Sequence, residues 1–161
     1  MSKDKTSMTP AVRALEAAGV AYSEHPYHYI EHGGTAAFAR EIGVDEHLVI
    51  KTLVMEDDVK RPFIILMHGD REVSTKELAR VLRVKTVRPC TPETAQRHSG
   101  YMVGGTSPFG LRKPMPVYIE ETVLALEKIY INGGRRGFIV GLDPKDLARV
   151  LQPVAVHVAI P

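Results

Sequence analysis

With 161 residues, 44% of them hydrophobic and 25% charged, the chain is long enough for one domain with a real core, and its composition excludes a disordered or fibrous protein. A formal net charge of +2 is too small to demand nucleic acid as a partner, yet it leaves room for a local basic patch. The single cysteine, Cys90, excludes an internal disulfide. No apolar run approaches the roughly 20 residues of a membrane span, and residues 1–7 are polar, so a cytoplasmic protein without membrane contact is expected.

Residues 1–8 read as a flexible lead-in and 9–161 as one domain. Thr9-Pro10 opens a helix, with Thr9 as N-cap, Val12, Leu15 and Ala18 at helical spacing, and Gly19 as the stop. A strand is expected from Tyr22. His25, His28 and His32 have spacings that zinc could use, but no cysteine pair accompanies them and Pro26 intervenes. They read as exposed or hydrogen-bonded side chains, and no metal is expected. A second helix spans 35–42 and stops at Gly43, with a turn at 45–47.

Residues 49–55 and 62–67 read as two apolar strands joined by a charged turn, a hairpin. Lys51 is the odd member of the first. It can snorkel at a sheet edge or point into a polar pocket, and periodicity leaves both readings open. Ser74-Thr75-Lys76-Glu77 matches a capping box, with Glu77 reaching back to Ser74 and a core face of Leu78, Val81 and Leu82. Residues 85–90 read as a strand. Cys90 has no base nearby in sequence and reads as a packed residue rather than a nucleophile. Thr91-Pro92 opens a helix that stops near Gly100.

Then comes Gly100-Tyr101-Met102-Val103-Gly104-Gly105-Thr106-Ser107-Pro108-Phe109-Gly110. Its glycines permit positive φ and close approach of a ligand to the main chain, and Pro108 biases Ser107 to an extended conformation. Such a loop can aim N–H groups at a carboxylate, a phosphate or a developing oxyanion, or it can be a wide strand connection. Strands follow at 116–120 and 128–131, with a helical turn at 123–127 between them. Asn132-Gly133-Gly134 reads as the turn to a partner strand at 137–142. Asp143-Pro144 caps a last helix with Leu147, Val150 and Leu151 in the core, before a β-like tail at 154–160. Helices interleave with two hairpins, so the expected class is α+β with a mixed sheet rather than a doubly wound fold.

Four stretches fall in an order similar to that of a known family: Thr9-Pro10-Ala11-Val12, Val49-Ile50-Lys51-Thr52-Leu53, the glycine loop, and Ile129-Tyr130-Ile131-Asn132-Gly133-Gly134-Arg135-Arg136-Gly137. In them the chain resembles the YbaK/EbsC family of Cys-tRNA(Pro) deacylases and their relatives, which share a fold with the editing domain of prolyl-tRNA synthetase. The resemblance implies a mixed, largely antiparallel sheet curled into a barrel-like core with flanking helices. It implies hydrolysis of the ester of a mischarged tRNA, most directly Cys-tRNA(Pro). In that chemistry the substrate thiol attacks its own ester, so neither a cofactor nor a protein nucleophile is called for. By position, Lys51, Gly104 and Gly105 take the catalytic places. Tyr22, Thr106, Ser107, Asn132, Gly133 and Gly134 take the substrate-binding ones. Arg112, Lys113, Arg135 and Arg136 are candidates for the tRNA phosphates and read equally as solvated turn residues. Aminoacyl-tRNA is the expected partner, with a transient complex with prolyl-tRNA synthetase or elongation factor.

Two positions depart from the family pattern. Asn132 stands where serine is common, and Ile139 where an aspartate is common. Ile139 cannot hydrogen-bond. A pocket lacking that polar partner suits another small amino acid, such as alanine, and a module that binds tRNA without hydrolysis is the competing class.

Overall fold

The computed structural model describes residues 8–161 and begins with the helix that Thr9-Pro10 announces, α1 (Pro10–Ala17), where Thr9 Oγ1 accepts from the Val12 N–H at 3.1 Å. β1 (Tyr22–Pro26) and α2 (Gly34–Ile42) follow, the latter closed by Gly43 at φ +80°. A short 3-10 turn, Glu46–Leu48, is capped by Asp45 and leads into the hairpin β2 (Val49–Asp57) and β3 (Pro62–His68). Next are β4 (Glu72–Val73), α3 (Thr75–Leu82), β5 (Val87–Pro89) and α4 (Pro92–Ser99). β6 (Val117–Glu120), a 3-10 helix (Glu121–Ala125), β7 (Ile129–Arg135), β8 (Phe138–Leu142), α5 (Pro144–Leu151), β9 (Val154–Val156) and β10 (Ala159–Ile160) complete the chain.

The main sheet runs β1-β8-β7-β2-β3-β6-β9, with β5 also beside β2, while β10 pairs with β4 in a small second sheet. The β1–β8, β7–β8, β2–β3 and β2–β5 pairs are antiparallel; β2–β7, β3–β6 and β6–β9 are parallel. The class is therefore α+β with a mixed sheet, as expected, but the barrel is not closed, because β1 and β9 end the path as separate edges. The unbroken apolar run of β3 has a simple cause: both its faces are covered. Ile64 and Leu66 join Val12 and Leu15 of α1, with Ile119, Ile131 and Leu147, in the larger core. Phe63, Ile65 and Met67 face the opposite way, against Leu78, Val87 and Val156.

Three local readings are corrected. Asn132-Gly133-Gly134 is not the turn: β7 continues through it with a register shift between Asn132 and Arg135, and the chain reverses at Arg136-Gly137. The Ser74 cap holds, since its Oγ accepts from the Glu77 N–H at 3.2 Å, but the Ser74 N–H donates to the Val158 carbonyl and the Glu77 carboxylate pairs with Arg80. On α3 the buried partners are Leu78 and Ala79, whereas Val81 is half exposed.

Candidate active site

The site begins as a gap in the sheet. β7 pairs with β2 only at Val49 and Ile50, and β5 joins the same side of β2 only from Met55. Between them, among the described residues, no strand lies against the Lys51–Val54 edge on that side. Ile64 sends its N–H to Pro116, towards β6, so in the antiparallel hairpin its partner Val54, and Thr52 two residues away, turn their backbone groups into the gap. The Val54 carbonyl is taken by the Cys90 N–H at 3.0 Å. Thr52 is left with its backbone facing the opening and with a buried hydroxyl that has no partner among the described residues.

A cavity of about 720 Å³ fills this gap. Lys51, Gly104, Thr106, Asn132 and Arg136 all line it, so one site gathers residues from three of the motifs read in the sequence. Lys51 is mostly buried; its ammonium donates to the Arg71 carbonyl at 2.5 Å and lies 3.6 Å from Glu72 Oε1. Lys51 thus combines features of both open readings: it stands on the open edge of β2 and lines the cavity at the same time. The glycine loop is held against the opposite wall: Arg136 Nε donates to the Val103 carbonyl at 2.9 Å, and its guanidinium lies 4.9 Å from the centre of the Tyr29 ring.

Several sequence-predicted residues have other duties. The Gly105 N–H donates to the Met102 carbonyl at 2.9 Å and is not free to polarise a substrate, whereas the Gly104 N–H has no protein acceptor among the described residues. Ser107 is fully buried and its Oγ accepts from the Phe109 N–H, which shapes the loop from behind. Gly133 and Gly134 do not reach the cavity. The Gly133 carbonyl accepts a short 2.5 Å bond from Thr9 Oγ1, and a Cβ at Gly134 would fall 2.8 Å from Thr9 Cβ. Tyr22 lies on the far edge of the sheet, where its hydroxyl donates to Glu16 at 2.8 Å. Arg112 and Lys113 are exposed and do not line the cavity; Arg135 is exposed and packs its guanidinium over Phe138.

The wall that sequence reading missed is the 27–37 segment, from which Tyr27, Tyr29, His32 and Thr35 face the cavity, and Thr52 beside Lys51. The segment has no periodic pattern to flag it. Of the three early histidines only His32 reaches the cavity; His25 bonds Ser23 Oγ at 2.7 Å and His28 sits beside Glu41. Cys90 also lines the cavity, yet burial above all, and then the Glu56 carboxylate, push its thiol up to about 11. Held as a thiol, it forms part of the wall. Ile139 is 3% exposed and packs with Phe38, Ala39 and Val49, so where an acid would stand the wall is apolar.

Comparison with known proteins places this geometry. The aminoacyl-tRNA editing domain family matches residues 33–150. The chain is 30% identical, over 90% of its own length and 90% of the relative's, to a candidate Cys-tRNA(Pro)/Cys-tRNA(Cys) deacylase, EbsC, of Enterococcus faecalis. It is 29% identical over 86% of its length to a proline–tRNA ligase of Nitratidesulfovibrio vulgaris, of which it covers 21%. A solved structure of a candidate trans-editing enzyme for prolyl-tRNA synthetase superposes with a TM-score of 0.83 over 99% of this chain and all of the other, at 21% identity, which bears on the fold. The chain belongs to the aminoacyl-tRNA editing domain family.

Proposed function

We propose that the protein is a free-standing trans-editing deacylase that hydrolyses the ester of mischarged tRNA, with Cys-tRNA(Pro) as its first substrate. The observation that carries this reading is the cavity itself. It joins a cationic side chain, Lys51, the Gly104 backbone, whose N–H has no acceptor among the described residues, and the buried Thr52 hydroxyl, and among the described residues its one thiol is held protonated. Such a site suits a substrate that carries its own nucleophile. The cysteinyl sulfur would bond to its own carbonyl carbon as the carbon–oxygen bond to the ribose breaks, the thiol proton would end on the ribose hydroxyl, and water would then open the resulting four-membered thiolactone to free cysteine. The protein's part is to fold the ester so that sulfur reaches carbon, and to hold the carbonyl oxygen as charge develops on it. The Gly104 N–H is the donor for that oxygen. The Lys51 ammonium would leave the Arg71 carbonyl and Glu72 for the terminal adenosine or its phosphate. Arg136, at the loop, and Arg135 beyond it are the cations best placed for the rest of the acceptor end, ahead of Arg112 and Lys113.

The apolar Ile139 supports a second reading within the same class, a preference for the alanyl ester. Alanine brings no thiol, so water would have to attack, positioned by Thr52 or the loop backbone. Deacylation of Cys-tRNA(Pro) and Ala-tRNA(Pro), side by side with wild type and Lys51→Ala, tests both. The expected result is turnover of the cysteinyl ester, with a loss of about 10²-fold in the variant, the size typical for removing one preorganised electrostatic group. Faster loss of the alanyl ester would move the specificity. Bound tRNA with neither ester hydrolysed would overturn the enzyme reading in favour of a binding module. A prolyl-tRNA synthetase or elongation factor partner would show as faster turnover when either is added.

A further inference from the structure

We infer that the protein holds a structural divalent cation, of which zinc is the best match, at Glu120, Glu121 and His157. Glu120 ends β6 and is fully buried. Its Oε1 accepts from the Val158 and Ala159 N–H groups at 2.7 and 2.8 Å. Its Oε2 is buried with no hydrogen-bond partner among the described residues, and the one group of opposite charge beside it is His157, if protonated. That oxygen is 3.4 Å from His157 Nδ1, which in turn is 3.2 Å from Glu121 Oε1, and the three ligand atoms lie within 4.8 Å of one another. Zinc bonds of about 2.0–2.2 Å in tetrahedral geometry set neighbouring ligands about 3.3–3.6 Å apart, close to the two spacings measured from His157 Nδ1. Two carboxylates and an imidazole leave the fourth position to water.

Topology explains how these residues meet. In the parallel β6–β9 pair Glu120 stands opposite Val156, so the next residue of each segment, Glu121 and His157, falls beside the same carboxylate. The ion would fasten the break between β9 and β10, and β10 pairs with β4, whose Glu72 flanks Lys51. None of the three ligands lines the cavity, so the ion stands outside the deacylation chemistry. A second group, His47, His68 and Asp70, is a poorer candidate. Its two rings are stacked 3.7 Å apart, and both His68 nitrogens already have partners, the His47 carbonyl and Thr122 Oγ1.

The test is calorimetric titration of zinc chloride into the chelator-treated full chain. One site is expected, with affinity lowered at least tenfold in both His157→Ala and Glu121→Gln. These side chains are 77% and 54% exposed, so both variants should fold, which circular dichroism checks. Cobalt in place of zinc should give the visible absorption of four-coordinate cobalt, and zinc should slow hydrogen exchange at the Val158 and Ala159 amides. Absence of zinc binding, or affinity unchanged in either variant, overturns the site.

Discussion

Gly104 and Gly105 are neighbours with the same side chain and opposite duties. Gly104 sits at φ +98° on the cavity wall with its N–H unspent, while a Cβ at Gly105 would meet the Arg135 carbonyl carbon at 2.5 Å and Arg136 N at 2.7 Å. Those are backbone atoms and cannot swing aside. Gly105→Ala is therefore expected to cost about 1–3 kcal/mol, the range for overpacking, and to push the loop off the second glycine cluster; urea unfolding together with deacylation rate reads both effects. Cys90 gives the opposite expectation. With its thiol pushed up to about 11, chiefly by burial, Cys90 is almost wholly protonated near neutral pH. Iodoacetamide should label it slowly, and Cys90→Ser should deacylate at close to the wild-type rate; a large loss in that variant would put Cys90 in the chemistry after all.

At the scale of elements, the hairpin β2–β3 owes its turn to one carboxylate. Asp57 accepts from the N–H groups of Val59 and Arg61 at 3.0 and 2.9 Å and from Arg61 Nε at 2.7 Å. Asp57→Ala should cost about 1.5–3 kcal/mol, the range for hydrogen bonds to a charged group, visible as a lower denaturation midpoint. This turn was legible because its residues bond within five positions of one another. The β7–β8 reversal was not. Asn132-Gly133-Gly134 carries the composition of a turn, but its glycines serve close approach instead. Gly133 lies under the Phe138 ring, and Gly134 lies against Thr9, far away in the chain. A sequence shows that a side chain is missing and not what fills the space. The same limit hid Tyr29, Thr35 and Thr52 as cavity residues, since a gap between β7 and β5 exists only once three distant strands are set side by side. Lys51 stands out in the sequence as a polar residue in an apolar run, though periodicity leaves its direction open, while Asn132 reads as a turn residue and enters the site only through the order of motifs. Gly104 and Thr106 came through the order of motifs.

Across the whole molecule, pH acts on two sets of groups, histidines and carboxylates, at different points. His68 is 1% exposed and its Nδ1 donates to the His47 carbonyl, which leaves Nε2 to accept from the Thr122 hydroxyl. Burial is the main cause that lowers its pKa; the His47 carbonyl, Asp70 and Glu120 oppose this, while the stacked His47 ring adds to it. His25 is lowered too, first by burial and then by Lys128. Below the ordinary histidine value of about 6.5 the unfolded chain takes up protons that the folded one refuses, so this stability is complete above about pH 6.5 and is lost as pH falls through the folded values. The carboxylates act later. Arg88 holds Glu56 down despite burial; burial also raises Asp57, and there the Arg61 and Val59 donors outweigh it. Their contribution is complete above the unfolded values near 4 and is lost as pH falls below them. The midpoint of thermal unfolding should therefore be level from about pH 8 to 6.5, decline gently below that, and drop again below about pH 4. His68→Gln, which can give and accept the same two hydrogen bonds, should reduce the first slope and leave the second in place. A wild-type midpoint that stays level from pH 7 to 5 would show that His68 and His25 do not resist protonation, and the acid sensitivity of the fold would then rest on the carboxylates alone.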